Sequence, residues 1–204
     1  MTNSLNDLTE KLRELPGIGP RQARRLAFFL VRKDATWVER FAHTLTSARN
    51  DIAQCALCMR LHPRRPGAAL CDLCADEARE TRTLMIVEKD VDLENIERTG
   101  VYTGRYFVLG GTAGPLDKNP EKRIRILQLE ALLTQHGASI EELIFALSAT
   151  TEGEDTLSFV HERIQPHVER AQLKITVLGR GLSTGTELEY VDRDTMQSAL
   201  RGRN

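Results

Sequence analysis

Four cysteines constrain this chain more than any other feature. All four lie in two pairs, Cys55-Ala-Leu-Cys58 and Cys71-Asp-Leu-Cys74, separated by twelve residues. A two-residue gap lets each pair form a tight knuckle with both sulfurs on one side. Two such knuckles can surround one Zn²⁺ with a tetrahedron of thiolates. The loop between them, Met59 to Leu70, is polar and contains His62-Pro-Arg-Arg-Pro-Gly67. Two disulfides would use the same four residues but need an oxidising compartment. The first residues, Met1 to Asp7, are polar and lack a signal peptide's basic start and apolar core. The thiols are therefore expected to be reduced in the cytoplasm, in a closed structural site holding one zinc. Such a site is a staple and not a reaction centre.

The staple separates a helical part from an α/β part, and the charge divides near the same place. Residues 1–70 carry twelve Lys or Arg against six acids, whereas the rest of the chain carries a net −7. A basic N-terminal part suits a polyanion and an acidic remainder does not. No apolar run approaches the roughly 18 residues of a membrane span.

Leu5, Leu8, Leu12 and Leu15 recur at helical spacing, predicting a short amphipathic helix to about Leu15. Pro16-Gly-Ile-Gly-Pro20 then makes a tight turn, and Pro20 fits the first turn of a second helix running to Leu30. This is a helix-hairpin-helix pattern. Its glycines let backbone N–H groups approach a phosphate. The helix N-terminus favours an anion, and Arg21 and Arg25 share a face at i, i+4. Such contacts grip the backbone of single- or double-stranded DNA without reading sequence. A third helix, Thr36 to Ala53, presents Trp37, Phe41, Leu45 and Ile52 near one face, with Trp37 expected in the core.

From Thr83 the pattern alternates. Strands are expected at Leu84–Val87, Tyr106–Leu109, Leu143–Leu147 and Leu173–Leu178, with helices between them. Alternation of this kind predicts a parallel sheet covered on both faces. Sites in such sheets lie beyond the C-terminal strand ends. Glu88, the Gly110-Gly111 loop, and the acids Glu152, Glu154 and Asp155 of the Ser148–Asp155 loop fall there. The acids would face a basic partner or subunit, hold a loop by hydrogen bonds, or bind Mg²⁺ weakly. The five histidines form no ligand pattern. Gly179-Arg-Gly-Leu-Ser-Thr-Gly185 lacks the Gly-Lys-Ser/Thr ending of a phosphate loop.

Taken in order, these residues resemble the RecR family of bacterial recombination mediators. The likeness rests on Leu15-Pro-Gly-Ile-Gly-Pro20, the four cysteines, Ile96-Glu-Arg-Thr-Gly100 and Val108-Leu-Gly-Gly111. It extends to Pro115-Leu-Asp117, Thr151-Glu-Gly-Glu154 and Gly185-Thr-Glu-Leu-Glu-Tyr190. It implies an α+β chain in parts: a helix-hairpin-helix region over 1–54, a four-cysteine zinc finger over 55–74, a Toprim domain over 82–178, and a C-terminal oligomerisation arm over 179–204. It also implies a ring-like homo-oligomer, dimer or tetramer, acting on nucleoid DNA with RecO-like and RecF-like partners to load recombinase on single strands. By motif position, Arg21 and Arg25 match the family's DNA contacts, Cys55, Cys58, Cys71 and Cys74 its zinc ligands, and Glu88 the Toprim glutamate. Three departures stand out: a longer, basic loop between the cysteine pairs, Val87-Glu-Lys-Asp-Val-Asp92 in place of a Glu-Pro arrangement, and Ala149-Thr150 in place of Asn-Pro.

Toprim enzymes hold Mg²⁺ with a glutamate and an Asp-x-Asp pair. Here the second element is Glu152-x-Glu154, and the three tyrosines lack a strand-gating domain. The expectation is no catalysis; the alternative is a small Mg²⁺-dependent nuclease or primase-like enzyme. A zinc-finger transcription regulator would need a base-reading helix beyond the hairpin.

Overall fold

The computed structural model describes residues 4–114, 117, 119–179, 181–182, 185 and 187–201. The expectations for Pro115, Leu116, Arg180, Ser183, Thr184, Thr186 and the last three residues lie outside these. The chain divides into two compact units, one ending at Ile52 and the other beginning at Ala53.

The first unit is three helices, α1 (Ser4–Arg13), α2 (Pro20–Val31) and α3 (Ala35–Asp51). Pro20 occupies the first helical position, where its missing N–H costs nothing. Asp34 caps α3 by accepting from the Trp37 N–H at 2.8 Å. Helix α1 packs on α2, whose buried residues are Ala23 and Ala27. Helix α3 buries no residue. The expected burial of Trp37 is thus corrected: it is only half-buried. It forms a ladder with Phe29 (6.1 Å, edge-on) and Phe41 (5.3 Å, stacked), with Lys33 4.6 Å over the Phe29 ring. Three short helices hold too little apolar surface to enclose an indole. Helical periodicity marked the apolar face, and Phe41 and Leu45 on it stay exposed, as does Phe29.

The second unit is built on a four-stranded parallel sheet of β3 (Thr83–Val87), β4 (Arg105–Val108), β5 (Glu142–Ala146) and β6 (Lys174–Val177), in the order β4-β3-β5-β6. Val87 stands level with Val108 on one side and Ala146 on the other. Alternate residues face opposite ways. Met85, Val87, Tyr106 and Val108 pack with Leu93 and Ile96 of α5 (Asp90–Thr99). Leu84, Ile86, Phe107 and Phe145 pack with α6 (Ile126–His136) and α7 (Thr151–Ala171). The strand order changes direction between β3 and β5, so their C-terminal ends form the switch point of the sheet.

Before the sheet lies the cysteine module, with β1 (Ile52–Gln54) pairing β2 (Leu61–Pro63) and a short α4 (Asp72–Ala75). The expected third helix to Ala53 therefore stops two residues sooner and turns into β1. Hydrogen bonds dock the module on the sheet and on α5: Val108 N–H of β4 donates to the Cys58 carbonyl (2.9 Å) and Leu61 N–H to Asp90 at the start of α5 (2.6 Å). Within the module, Arg60 pairs with Asp72 (3.3 Å). The first of these docking bonds occupies the outward N–H at the C-terminal end of the edge strand β4. Near the C-terminus, α8 spans Arg193–Arg201.

Beside the module, Arg79 forms a two-pronged pair with Glu97 of α5 (2.6 and 3.1 Å) and also donates to the Gly104 carbonyl (2.7 and 3.0 Å). Burial pushes Glu97 up, but the hydrogen bond and charge of Arg79 outweigh it and hold the carboxyl below its ordinary range. This contribution is therefore complete at neutral pH and is lost as the pH falls through the folded-state pKa. Arg79→Met is expected to lower stability by about 2 kcal/mol at pH 7. The deficit shrinks as the pH drops below the glutamate range, which urea titrations followed by circular dichroism across pH would measure.

Candidate nucleic-acid interface and metal centre

The hairpin is closed by backbone hydrogen bonds, Leu15 N–H to the Leu12 carbonyl (3.3 Å) and Ile18 N–H to the Leu15 carbonyl (3.1 Å). Gly17 sits at φ +75°, a conformation that a side chain disfavours. Gly19 caps α2 with extended backbone and no side-chain acceptor, leaving the first N–H groups of the helix open to an anion. Arg21 and Arg25 flank that end, both exposed. With Gly19, Pro20 and Gln22 they line an open concavity of about 600 Å³. Further along α2, Arg25 and Arg32 stand beside Lys33, Phe28 and Phe29. Among the described residues no carboxylate pairs with Arg21, Arg25 or Arg32. This cationic face is unneutralised among the described residues.

The four cysteines are buried, and their sulfurs all lie within 4.8 Å of one another. Cys58 and Cys71 sulfurs are 3.6 Å apart and none of the four is in a disulfide. The first knuckle is shaped by Met59 at φ +63°, with Cys55 N–H donating to the Arg60 carbonyl (2.8 Å) and Gln54 clamping the Met59 carbonyl (3.1 Å). In the second, Cys71 N–H points at the Cys55 sulfur (3.4 Å). Hydrogen bonds from Cys58, Cys71 and Cys74 drive the Cys55 thiol down, while the same crowding pushes Cys58 and Cys74 up. Four buried thiols at this spacing cannot all ionise against one another; a cation at their centre removes that conflict. The cluster can bind a metal ion.

At the switch point, Glu88 follows β3 and is 3% exposed. Both its oxygens are engaged after β5: Ser148 N–H donates to Oε1 (2.7 Å) and Ser148 Oγ to Oε2 (2.9 Å). The other acids are corrected in position. Helix α7 begins at Thr151, so Glu152, Glu154 and Asp155 stand in its first turns and not in a loop. Thr150, which stands where the family has Pro, caps the helix by accepting from the Gly153 N–H (3.2 Å). A Cβ at Gly153 would drive into the Ser148 carbonyl, so glycine is required by close approach there. Among the described residues, no three of Glu88, Glu152, Glu154 and Asp155 converge; the cysteines are the one His/Cys/Asp/Glu group that does.

Three supporting residues had no sequence signal. They are Ser148, Asp90 and Thr156, whose buried hydroxyl accepts from the Ala113 N–H (3.0 Å) and donates to the Glu152 carbonyl (2.6 Å). That bond ties the glycine loop after β4 to the start of α7.

Residues 5–49 match the family described as "RecR, helix-hairpin-helix", 82–179 the Toprim domain, and 181–204 "RecR, C-terminal". The recombination protein RecR of a Dehalococcoides mccartyi strain is 38% identical over 199 residues, covering 98% of this chain and 93% of that protein. The chain belongs to the RecR family. RecR of Lactobacillus helveticus is 36% identical over 196 residues (96% and 94% covered), and RecR of Psychrobacter cryohalolentis 36% over 204 residues (100% and 98%). The hairpin, the parallel Toprim sheet and the four-cysteine cluster are therefore parts of one RecR recombination protein, and the nuclease or primase alternative is not supported.

Both buried sites are open to direct measurement. In the metal-loaded protein the cysteines are expected to resist a thiol reagent, and all four react after chelation; titration with a chromogenic disulfide counts them. Glu88→Ala, which strands the Ser148 N–H, is expected to cost roughly 1–2 kcal/mol in urea unfolding. Glu88→Gln keeps an acceptor and should recover most of that.

Proposed function

We propose that this RecR-family protein is a non-catalytic recombination mediator that grips DNA through its hairpin and works as a homo-oligomer. Its working parts are residues 1–54, 55–74, 82–178 and 179–204. The observation that carries the reading is the unneutralised cationic end of α2, where Arg21 and Arg25 flank open N–H groups behind a glycine turn. Such a site holds phosphates of single or double strands without reading bases. One contact of this kind is weak, and several copies in a ring, dimer or tetramer, gain by multivalency.

Two features support assembly. The Phe29–Trp37–Phe41 ladder leaves Phe29 and Phe41 exposed, and among the described residues β6 is a sheet edge with Val177 and Leu178 exposed. The cysteine cluster fits Zn²⁺: four thiolates about 2.3 Å from one zinc stand about 3.8 Å apart, near the 3.6 Å between Cys58 and Cys71. When bound, zinc supplies a closed tetrahedral staple. Glu88, held by Ser148, serves loop architecture and not phosphoryl transfer. Glu152, Glu154 and Asp155 offer an acidic face to RecO-like or RecF-like partners. The protein acts in the cytoplasm on nucleoid DNA; no helix among the described residues is long and apolar enough to cross a membrane.

Fluorescence anisotropy on random-sequence single- and double-stranded DNA across salt tests the grip. Arg21→Ala with Arg25→Ala is expected to lower affinity at least tenfold and to reduce the log–log salt slope by roughly 1.5. Unchanged binding would move the DNA site elsewhere. Incubation with DNA, nucleotides and Mg²⁺ is expected to yield no cleavage or synthesis products; a product that vanishes with Glu88→Ala would overturn the non-catalytic reading.

A further inference from the structure

At the N-terminal end of the sheet, opposite the Glu88 switch point, lies a cavity of about 300 Å³. Leu84 enters it from β3, Leu132 from α6, Ile140 from the turn before β5, and Leu57 from the first cysteine knuckle. Arg105, at the start of β4, and His136, at the last turn of α6, supply polar groups. Among the described residues no carboxylate lines it. The buried Arg105 Nε has no hydrogen-bond acceptor among the described residues, and among them the guanidinium has no ion pair. Neither the DNA grip nor the metal staple uses this cavity, so a ligand held in it would add to the proposed function.

A guanidinium always carries its charge. Burying one of its N–H groups without an acceptor is costly, and the cost disappears when an anionic oxygen arrives. Apolar walls beside it favour a ligand with a hydrophobic body. The volume, at the lower end of small-ligand sites, suits a single large apolar side chain. Apolar body and anion must also be close together, because Arg105 and Leu84 are register partners on adjacent strands. The C-terminal residue of a polypeptide joins a side chain to a carboxylate over that short distance, and the planar fork of arginine receives a carboxylate on two N–H groups. We propose that this cavity captures the C-terminal residue of a partner polypeptide, a large apolar side chain seated among Leu57, Leu84, Leu132 and Ile140 with its terminal carboxylate on Arg105. Leu57 makes the metal-bearing module one wall of the site, so recognition requires the staple to be intact.

The test uses full-length, metal-loaded protein and a fluorescein-labelled Gly-Ser spacer peptide ending in Phe with a free carboxylate. Anisotropy is expected to show saturable binding. Amidating the terminus, replacing the final Phe with Ser, or making Arg105→Gln should each weaken binding about tenfold or more. His136→Gln, at the exposed rim, is a second variant expected to weaken binding less. Thermal midpoint, metal content and DNA affinity of both variants should match the wild type. Absence of binding by the free-acid peptide overturns the proposal. So does equal binding of acid and amide, or binding insensitive to Arg105→Gln in a variant with wild-type thermal midpoint. If free 3-phenylpropionate competes as strongly as the peptide itself, the polypeptide assignment is overturned in favour of a small carboxylate.

Discussion

Docking of the cysteine module on β4 is the contact on which the second unit depends. The Cys58 carbonyl accepts from Val108, at the C-terminal end of an edge strand. Leu57 of the same knuckle packs on the core beneath α6, and Leu73 of the other knuckle joins the core beneath α5. Each face of the sheet thus receives one leucine from the module. An open strand edge invites pairing with other chains; here its C-terminal end is met by a knuckle that brings Cys55 and Cys58 into the four-sulfur cluster. The cluster that can bind a metal ion and the end of the edge strand thus share one knuckle.

The switch point shows a second economy. A glutamate buried at the end of β3 would ordinarily be expensive. Ser148 meets both its oxygens and joins the ends of β3 and β5. Thr150, Gly153 and Thr156 then fix the start of α7 against that bridge and against the loop after β4. The acids at the head of α7 are carried on a helix whose position is set by neutral residues.

Much of this was legible in the sequence because it rests on short-range patterns. The apolar runs at Leu84–Val87 and Leu143–Leu147 gave strands, since a buried parallel strand has little freedom in composition. The two Cys-x-x-Cys pairs gave the cluster because knuckle geometry is local. Glu152, Glu154 and Asp155 were misplaced in a loop because a helix start turns on one side-chain bond, Thr150 to the Gly153 N–H. Trp37 was misjudged because periodicity shows which face is apolar and not what lies over it. Asp90, Ser148 and Thr156 were invisible: each matters through a partner 29, 60 or 43 residues away.

The thin interior of the first unit has a consequence for abundance. With Ala23 and Ala27 as the buried side chains among its described residues, its own free-energy well is shallow. Anything that covers the aromatic ladder deepens that well by mass action, in proportion to the logarithm of its concentration. Wherever such a covering partner is present, the firmness of the hairpin follows its concentration, and dilution loosens this unit.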